Sequence, residues 1–393
     1  MHKLSDKQIK EGWQIVKFGE IAKNISERVN PSETDLKVYV GLEHLDPQSL
    51  RIMRKGVPSD VKGQKLRVRP GQIIFGKRRA YQKKLAIADF DGICSAHAMV
   101  LEEKVGKVIS GLLPFFMQSD IFMDRAVAIS EGSLSPTIKW KTLANQKFSL
   151  PPVERQKEIL EVLEKVEEII LKIENLICSG ELLFKIILQK KINNPKQKEK
   201  FFPITDLSKI VNSPVDKKTK KGQDSIKLCN YVDVYNNREI TNDLRFMKAS
   251  ASQSEIQKFS LRKGDVVITK DSETPYDIGI STYIAEDIDD LVCGYHLAII
   301  RSNSSVSGKY LSYALCSPKV RHGFVPYAQG ITRFGLSSDT YKNVKIFCPS
   351  IAEQKKIVNV LDSLQKCLAF MKKQSVKYTN IKKIILKELL LNF

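Results

Sequence analysis

Two runs of basic and polar residues hold the side chains best suited to reading a charged polymer. Lys77, Arg78, Arg79, Tyr81, Lys83 and Lys84 lie directly after an apolar segment at 73–75. Lys270, Ser272 and Tyr276 occupy the corresponding run after an apolar segment at 266–269, here mixed with Asp271 and Glu273. Arginine can pair bidentately with guanine, lysine can meet phosphate, and a carboxylate can accept from cytosine. Later in each half comes a second run, with Ser133, Ser135 and Thr137 after Gly132, and Thr332 and Arg333 after Gly330. Hydroxyls and an arginine there can meet phosphates or bases, and ordinary turn chemistry accounts for them equally well. Loops that follow a strand often carry function, yet a charged loop is also what a solvated surface looks like. The run Lys217, Lys218, Thr219, Lys220 and Lys221 carries charge but no base information, as a phosphate-binding arm or simply a solvated one.

Other chemistry is poorly served. Cys94 with His97, repeated as Cys293 with His296, suggests a metal pair. Only two ligands per copy are visible, and on a strand a spacing of three sends them to opposite faces. Buried cysteines and hydrogen-bonded core histidines are expected instead. Asp89 or Asp91 with Glu102 and Lys104 could make a nuclease-like set, but the second half has no equivalent. Leu150-Pro151-Pro152-Val153 has the prolines of an adenine methyltransferase motif without its leading amide or its aromatic follower. Neither a GxGxxG nor a P-loop is present.

The elements that position these residues come twice. LRVRPGQIIFGK (Leu66 to Lys77) returns as LRKGDVVITK (Leu261 to Lys270), with Gly71 and Gly264 at the same strand entry. ADFDGICSAHAMVL returns as AEDIDDLVCGYHLAII, and FSLPPVERQKEIL as IFCPSIAEQKKIV, displaced by about 198 residues. A duplication of this kind implies two similar domains with two similar jobs. Strands are expected at 38–42, 73–75, 85–88 and 98–101, then at 226–229, 266–269, 278–285 and 296–301. A helix is expected at 109–127 and again at 308–323.

Each copy ends in a long helix. Ile159, Leu163, Val166, Ile170, Ile173 and Ile177 alternate spacings of four and three, which is an a/d seam. Ile357, Leu361, Leu364, Leu368 and Met371 take the equivalent places in the second copy. A helix of about 40 residues is ~60 Å long, and its stripe needs a partner. The simplest one is the duplicate helix, packed as an antiparallel coiled coil; the alternative is that each helix lies on its own domain. The expected organisation is a globular domain at 1–150, a long helix at 151–192, a polar linker at 193–200, a second globular domain at 201–348 and a second helix at 349–393. The fold class is α+β: two similar globular α/β domains alternating with two long helices, an internal repeat of pseudo-two-fold kind.

The net charge of +20 over 393 residues favours polyanionic partners, nucleic acid foremost. Seven cysteines with no CxxC pair argue against a disulfide framework and for a reducing cytoplasm. The polar N-terminus carries no apolar signal region, and no apolar run approaches a membrane span, so no membrane partner is expected.

This organisation resembles the specificity subunits of type I restriction–modification systems over nearly the whole chain. The resemblance rests on the order of domains and helices and on local motifs. Gly12-Trp13 followed by FGEIA resembles the usual domain opening, PGQII and KGDVV the mid-domain strand, and LPPVERQKEI and CPSIAEQKKI the helix start. The first copy has Arg155-Gln156 where the second has the more typical Glu353-Gln354. The resemblance implies that each globular domain reads one half of a split target in double-stranded DNA. It implies helices that fix the unread gap and dock two methyltransferase subunits, with restriction subunits joining that core. S-adenosylmethionine, ATP and magnesium would then bind those partners, and this chain would be non-catalytic. The residues independently suit two basic domains on two half-sites. Two other readings stay open: a basic scaffold that binds DNA without sequence preference, and a catalytic DNA-modifying enzyme with unfamiliar motifs.

Overall fold

The computed structural model describes residues 4–104, 106–192 and 200–391, so most of the polar linker expected at 193–200 lies outside the described residues. The chain divides into two compact units, residues 1–174 with 373–393, and residues 175–372. The division runs through both long helices rather than at their ends.

In the first unit the strands Ala22–Ile25, Ala98–Glu103, Ile73–Gly76 and Leu85–Ile87 form one antiparallel sheet in that order. Its two central strands carry short buried apolar runs that include Ile73, Ile74 and Val100, whose branched side chains pack well on a pleated surface. A second sheet takes Arg28–Val29, Lys65–Val68, Gly92–Cys94 and Tyr39–Val40. Gln14–Lys17 pairs with Lys147–Leu150, so the two ends of the globular part are zipped together just before the long helix begins. The second unit repeats the plan. Ser208–Asn212, Leu297–Ser302, Val266–Thr269, Ser281–Ile284 and Glu239–Ile240 form its main sheet, and Phe201–Pro203 closes against Lys345–Phe347. The registers correspond: Ile73 faces Leu101 as Val266 faces Ile300.

The two single helices expected at 109–127 and 308–323 are each broken at a serine. The first is Leu112–Gln118 and Asp120–Ala128, with Ser119 extended between them and its hydroxyl accepting from the Phe122 amide at 3.3 Å. The second is Gly308–Cys316 and Pro318–Phe324, with Ser317 extended and Pro318 at the first helical position. Serine competes for helical backbone bonds and so favours caps over helix interiors. The apolar periodicity ran across the break and hid it.

The long helices are Val153–Ile187, continued by a wider π turn over Leu188–Ile192, and Ile351–Leu391. Their seam is shared between two tasks. Ile159 and Leu163 are buried in the first globular core beside Phe116 and Phe148, and Leu361 is buried in the second beside Tyr310 and Tyr341. At these positions the helix lies on its own domain. Farther along, Val166, Ile170 and Ile173 are also buried, while Ile357, Leu364, Leu368 and Met371 are half-buried.

Helix meets helix within each unit. In the first, Lys382 pairs with Glu167 and sits 5.4 Å over the Phe115 ring. In the second, Lys372 pairs with Glu181 at 2.7 Å, and a Cβ on Gly180 would stand 2.7 Å from Leu368 Cδ2. In the first unit Ile159 and Leu163 share a core with Leu386, while Glu167 farther along meets Lys382, so the numbers fall on one helix as they rise on the other and the pairing there is antiparallel. Each globular core also takes in the far end of the other helix: Leu386 joins the first, and Phe184, Leu188 and Ile192 join the second.

A buried glutamine fixes the root of each helix. Gln156 donates to the carbonyls of Pro151 and Lys107, both at 2.9 Å. Gln354 donates to those of Pro349 at 2.8 Å and Ser305 at 2.9 Å, and accepts from the Ser307 amide at 2.9 Å. Both glutamines are almost fully buried. Buried amides require such partners, and here those partners tie helix to domain.

Candidate nucleic-acid interface

The strand Ile73–Gly76 is buried along its whole length, and its exit delivers Lys77 to the surface. Main-chain bonds then set the shape. The amides of Lys77 and Arg78 both donate to the His97 carbonyl, at 3.1 and 3.2 Å. The Lys77 carbonyl accepts from the Ile138 amide at 2.9 Å, and the Arg79 amide donates to Pro136 at 2.7 Å. Arg78 and Thr137 form a β-bridge. The two candidate loops of the first domain, far apart in sequence, are therefore one surface feature held by backbone.

The second domain repeats the frame. The Lys270 amide donates to the His296 carbonyl at 3.0 Å, and its carbonyl accepts from Leu336 at 2.8 Å. Asp271 and Ser272 pair with Gly335 and Phe334, and Ala328–Gln329 completes a small sheet with Phe334–Leu336. Within that hairpin Gly330 has φ of +144°, and a Cβ there would stand 1.7 Å from the Arg333 carbonyl oxygen, so the turn requires glycine.

The side chains on the two frames differ in sign. In the first, Arg78 Nη1 donates to His97 Nε2 at 3.0 Å. Burial, then the charges of Arg78 and Lys77, hold the His97 pKa below its usual value, which favours a ring able to accept from Arg78. Lys77 is half-buried, and burial with Arg28 nearby lowers its pKa. Arg28, Lys65 and Lys139 line the same groove as Lys77, so the charges in its wall are basic, with Lys139 paired to Glu131 at 2.6 Å. In the second, the position after the lysine is acidic: Asp271 pairs with His296 Nδ1 at 3.0 Å and lies 3.8 Å from Lys270. Tyr231 and Tyr235, stacked at 5.6 Å on one short helix, flank Asp271 and Arg333.

A family model described as the type I restriction modification DNA specificity domain matches residues 10–177 and 195–378. The chain belongs to that specificity family. It is 27% identical over 164 residues to the type I restriction enzyme EcoDI specificity subunit of Escherichia coli. That match takes in 40% of this chain and 35% of that relative. The chain is 21% identical, over 99% of its length and 94% of the relative, to the MjaVIII specificity subunit of Methanocaldococcus jannaschii. Two solved structures share the fold. One is a chain from work on complex assembly and conformational transition of the type I R-M system (TM-score 0.60, 21% identity, 99% of both chains). The other is the type I S subunit from M. genitalium (TM-score 0.61, 13% identity, 100% of this chain and 99% of that one).

Several expected site residues of this specificity chain are committed elsewhere. Lys84 donates to the Leu42 carbonyl at 2.6 Å, and Lys83 pairs with Asp120 and Asp124 at 3.2 and 2.9 Å. Ser272 is buried, and its hydroxyl accepts from the Thr274 amide at 3.3 Å, a turn role. Thr137 donates to the Ser135 carbonyl at 3.0 Å. Arg79, Tyr81, Ser133, Tyr276, Thr332 and Arg333 are exposed.

The histidines differ from expectation. His97 is exposed in the turn after the strand Gly92–Cys94, and His296 is only half-buried. Neither shares a strand with its cysteine or sits in the core, whereas Cys94 and Cys293 are fully buried. No metal-ligand cluster occurs among the described residues. The carboxylates considered for a nuclease are dispersed into separate ion pairs, Asp89 with Lys55, Asp91 with Arg67 and Glu102 with Lys23. Lys104 donates to the Gly19 carbonyl. Among the described residues no helix is long and apolar enough to cross a membrane.

Sequence reasoning missed the interface position of His97, weighed only as a metal ligand or core residue, and missed Arg28 and the Tyr231–Tyr235 pair. The tyrosines had a signal, an i, i+4 aromatic spacing after the capping residue Asn230. His97 had none, because only the fold brings it under Arg78.

Proposed function

We propose that this specificity subunit reads a bipartite target in double-stranded DNA, one half per globular domain, and is itself non-catalytic. The observation that carries the reading is the duplicated backbone frame at Lys77 and Lys270, furnished with unlike side chains. Equal frames present side chains in equal geometry, and unlike side chains select unlike bases. The first frame offers donors through Lys77, Arg78 and Arg79, which suit the acceptor edge of guanine. The second adds the acceptor Asp271 beside Arg333, which suits amino-bearing bases as well. Ser133, Ser135, Tyr81, Thr332 and Tyr276 would supply phosphate or sugar contacts around them.

The long helices set the unread gap and dock two methyltransferase subunits, and restriction subunits join that complex in the cytoplasm. S-adenosylmethionine, ATP and magnesium belong to those partners.

The test is methylation-sensitive sequencing of DNA from cells that co-express this chain with its methyltransferase partner. A split motif with unlike halves and a constant spacer is expected. Methylation without a motif overturns the reading in favour of a sequence-indifferent scaffold, and base modification by the purified chain alone overturns the non-catalytic assignment.

A further inference from the structure

The most exposed large apolar side chains among the described residues are Ile331, at 95%, and Leu134, at 91%. A single exposed aliphatic residue is common and calls for no explanation. These two lie in equivalent loops of the two repeats, one place out of register: Leu134 is the second residue after Gly132 and Ile331 the first after Gly330. Leu134 lies in the loop closed by reciprocal bonds between Glu131 and Thr137 at 3.0 and 2.9 Å. Ile331 lies at the tip of the hairpin that pairs Gln329 with Gly335. Gly132 and Gly330 open the two loops with φ of +110° and +144°. Each loop is fastened by main-chain bonds to the strand end that carries Lys77 or Lys270. Polar neighbours flank each tip, Ser133 and Ser135 in one, Thr332 and Arg333 in the other. An exposed tyrosine stands on the adjoining loop in both domains, Tyr81 at 54% and Tyr276 at 72%.

We propose that Leu134 and Ile331 are apolar wedges, each entering a base step of the half-site read by its own domain. The inference rests on the DNA-reading role proposed above and deepens it. A rigid loop with one uncovered aliphatic side chain and hydroxyl or guanidinium neighbours fits a duplex in a definite way. The polar groups meet the backbone, and the aliphatic group slides between stacked bases and partly unstacks them. A wedge has no hydrogen bond to offer, so it does not identify a base. It favours steps that open easily, pyrimidine–purine steps above all, and so contributes to selection through deformability. Unstacking also lowers the cost of extruding a neighbouring base, which an enzyme that modifies bases requires.

The experiment uses the full chain in complex with its methyltransferase partner and a synthetic duplex bearing the mapped target. 2-Aminopurine, whose fluorescence rises on unstacking, replaces an adenine at successive positions in each half. The variants are Leu134→Ser and Ile331→Ser, neither of which touches a core. Wild type should raise the fluorescence several-fold at one step in each half. Leu134→Ser should abolish the rise in the first half only and Ile331→Ser in the second only, each weakening binding by about tenfold, the scale of one lost stacking contact. Tight binding by wild type with no fluorescence rise, or a rise that both variants keep, overturns the wedge and leaves the DNA-reading role standing. Failure of wild type to prefer the mapped duplex over a scrambled one overturns that role and the wedge with it.

Discussion

Gln156 accepts a hydrogen bond from the Ile109 amide at 3.0 Å through a side chain that is almost fully buried. With its two donations to Pro151 and Lys107, one amide group joins the last strand, the helix start and the loop leading into the paired helices. Replacing Gln156 with leucine leaves those backbone groups buried without partners. The expected cost is about 2–4 kcal/mol for several such groups. Thermal unfolding of Gln156→Leu, with Gln354→Leu as its counterpart in the second domain, checks this.

Gly180 faces Leu368 across the helix pair in the second unit. Alanine there displaces only the mobile end of a leucine and gains helix propensity. Gly180→Ile is different, because a branched side chain pushes the backbones apart. It should destabilise by about 1–3 kcal/mol as overpacking does, read as a lower urea midpoint, while Gly180→Ala stays near wild type.

Lys382 is 4% exposed and finds its counter-charge in Glu167. Burial pulls its pKa down, and Glu167 offsets part of that. Glu167→Ala leaves the ammonium buried and unpaired, at a cost of about 3–5 kcal/mol. The double variant Glu167→Ala, Lys382→Met should recover most of it. The sign of the pH effect follows from the lowered pKa. Between the folded pKa and the unfolded value of about 10.4, the unfolded chain holds the extra proton, so raising pH favours folding. Glu167→Ala should therefore gain stability relative to wild type as pH rises towards about 10, measured by denaturation at a series of pH values.

Arg78 and Arg79 belong to the first frame alone. Alanine at either position should relax the base preference in one half of the methylated motif by about 1–3 kcal/mol of discrimination. The other half and the spacer should stay unchanged in the sequencing readout. A relaxed preference in both halves would contradict the assignment of one domain to each half.

Removing one heptad, seven residues, from one long helix should shorten the spacer while both half-sites persist. An unchanged spacer would refute the ruler role.

The repeat, the helices and the strand before each basic loop were legible because they rest on local signals. Paired glycines, Val and Ile runs and a 3–4 apolar spacing are all written within a few residues of one another. The breaks at Ser119 and Ser317 were hidden for the same reason, since apolar spacing continues across them. The seam is a subtler case. Ile159 and Leu163 fit an a/d pattern, yet a globular core covers them, and Leu386 of the other helix is only one of its members. Spacing reports which face is buried and cannot name what buries it. In the candidate interface the sequence pointed to Lys77, Arg78 and Arg79, but the losses of Lys83, Lys84 and Ser272 depend on Asp120, Asp124, Leu42 and Thr274. Except for Thr274, those partners lie far away in the sequence. His97 was out of reach for the same reason.

Leu386 completes the core that begins with Val16 and Phe18. On the ribosome, everything from Phe201 to Phe347 must emerge before Leu386 does, so the first domain cannot be sealed while it is being made. It waits with an uncovered apolar patch beside Ile159 and Leu163 through the synthesis of a second domain. The last contribution to its core therefore comes only after the residues of the second domain have been made.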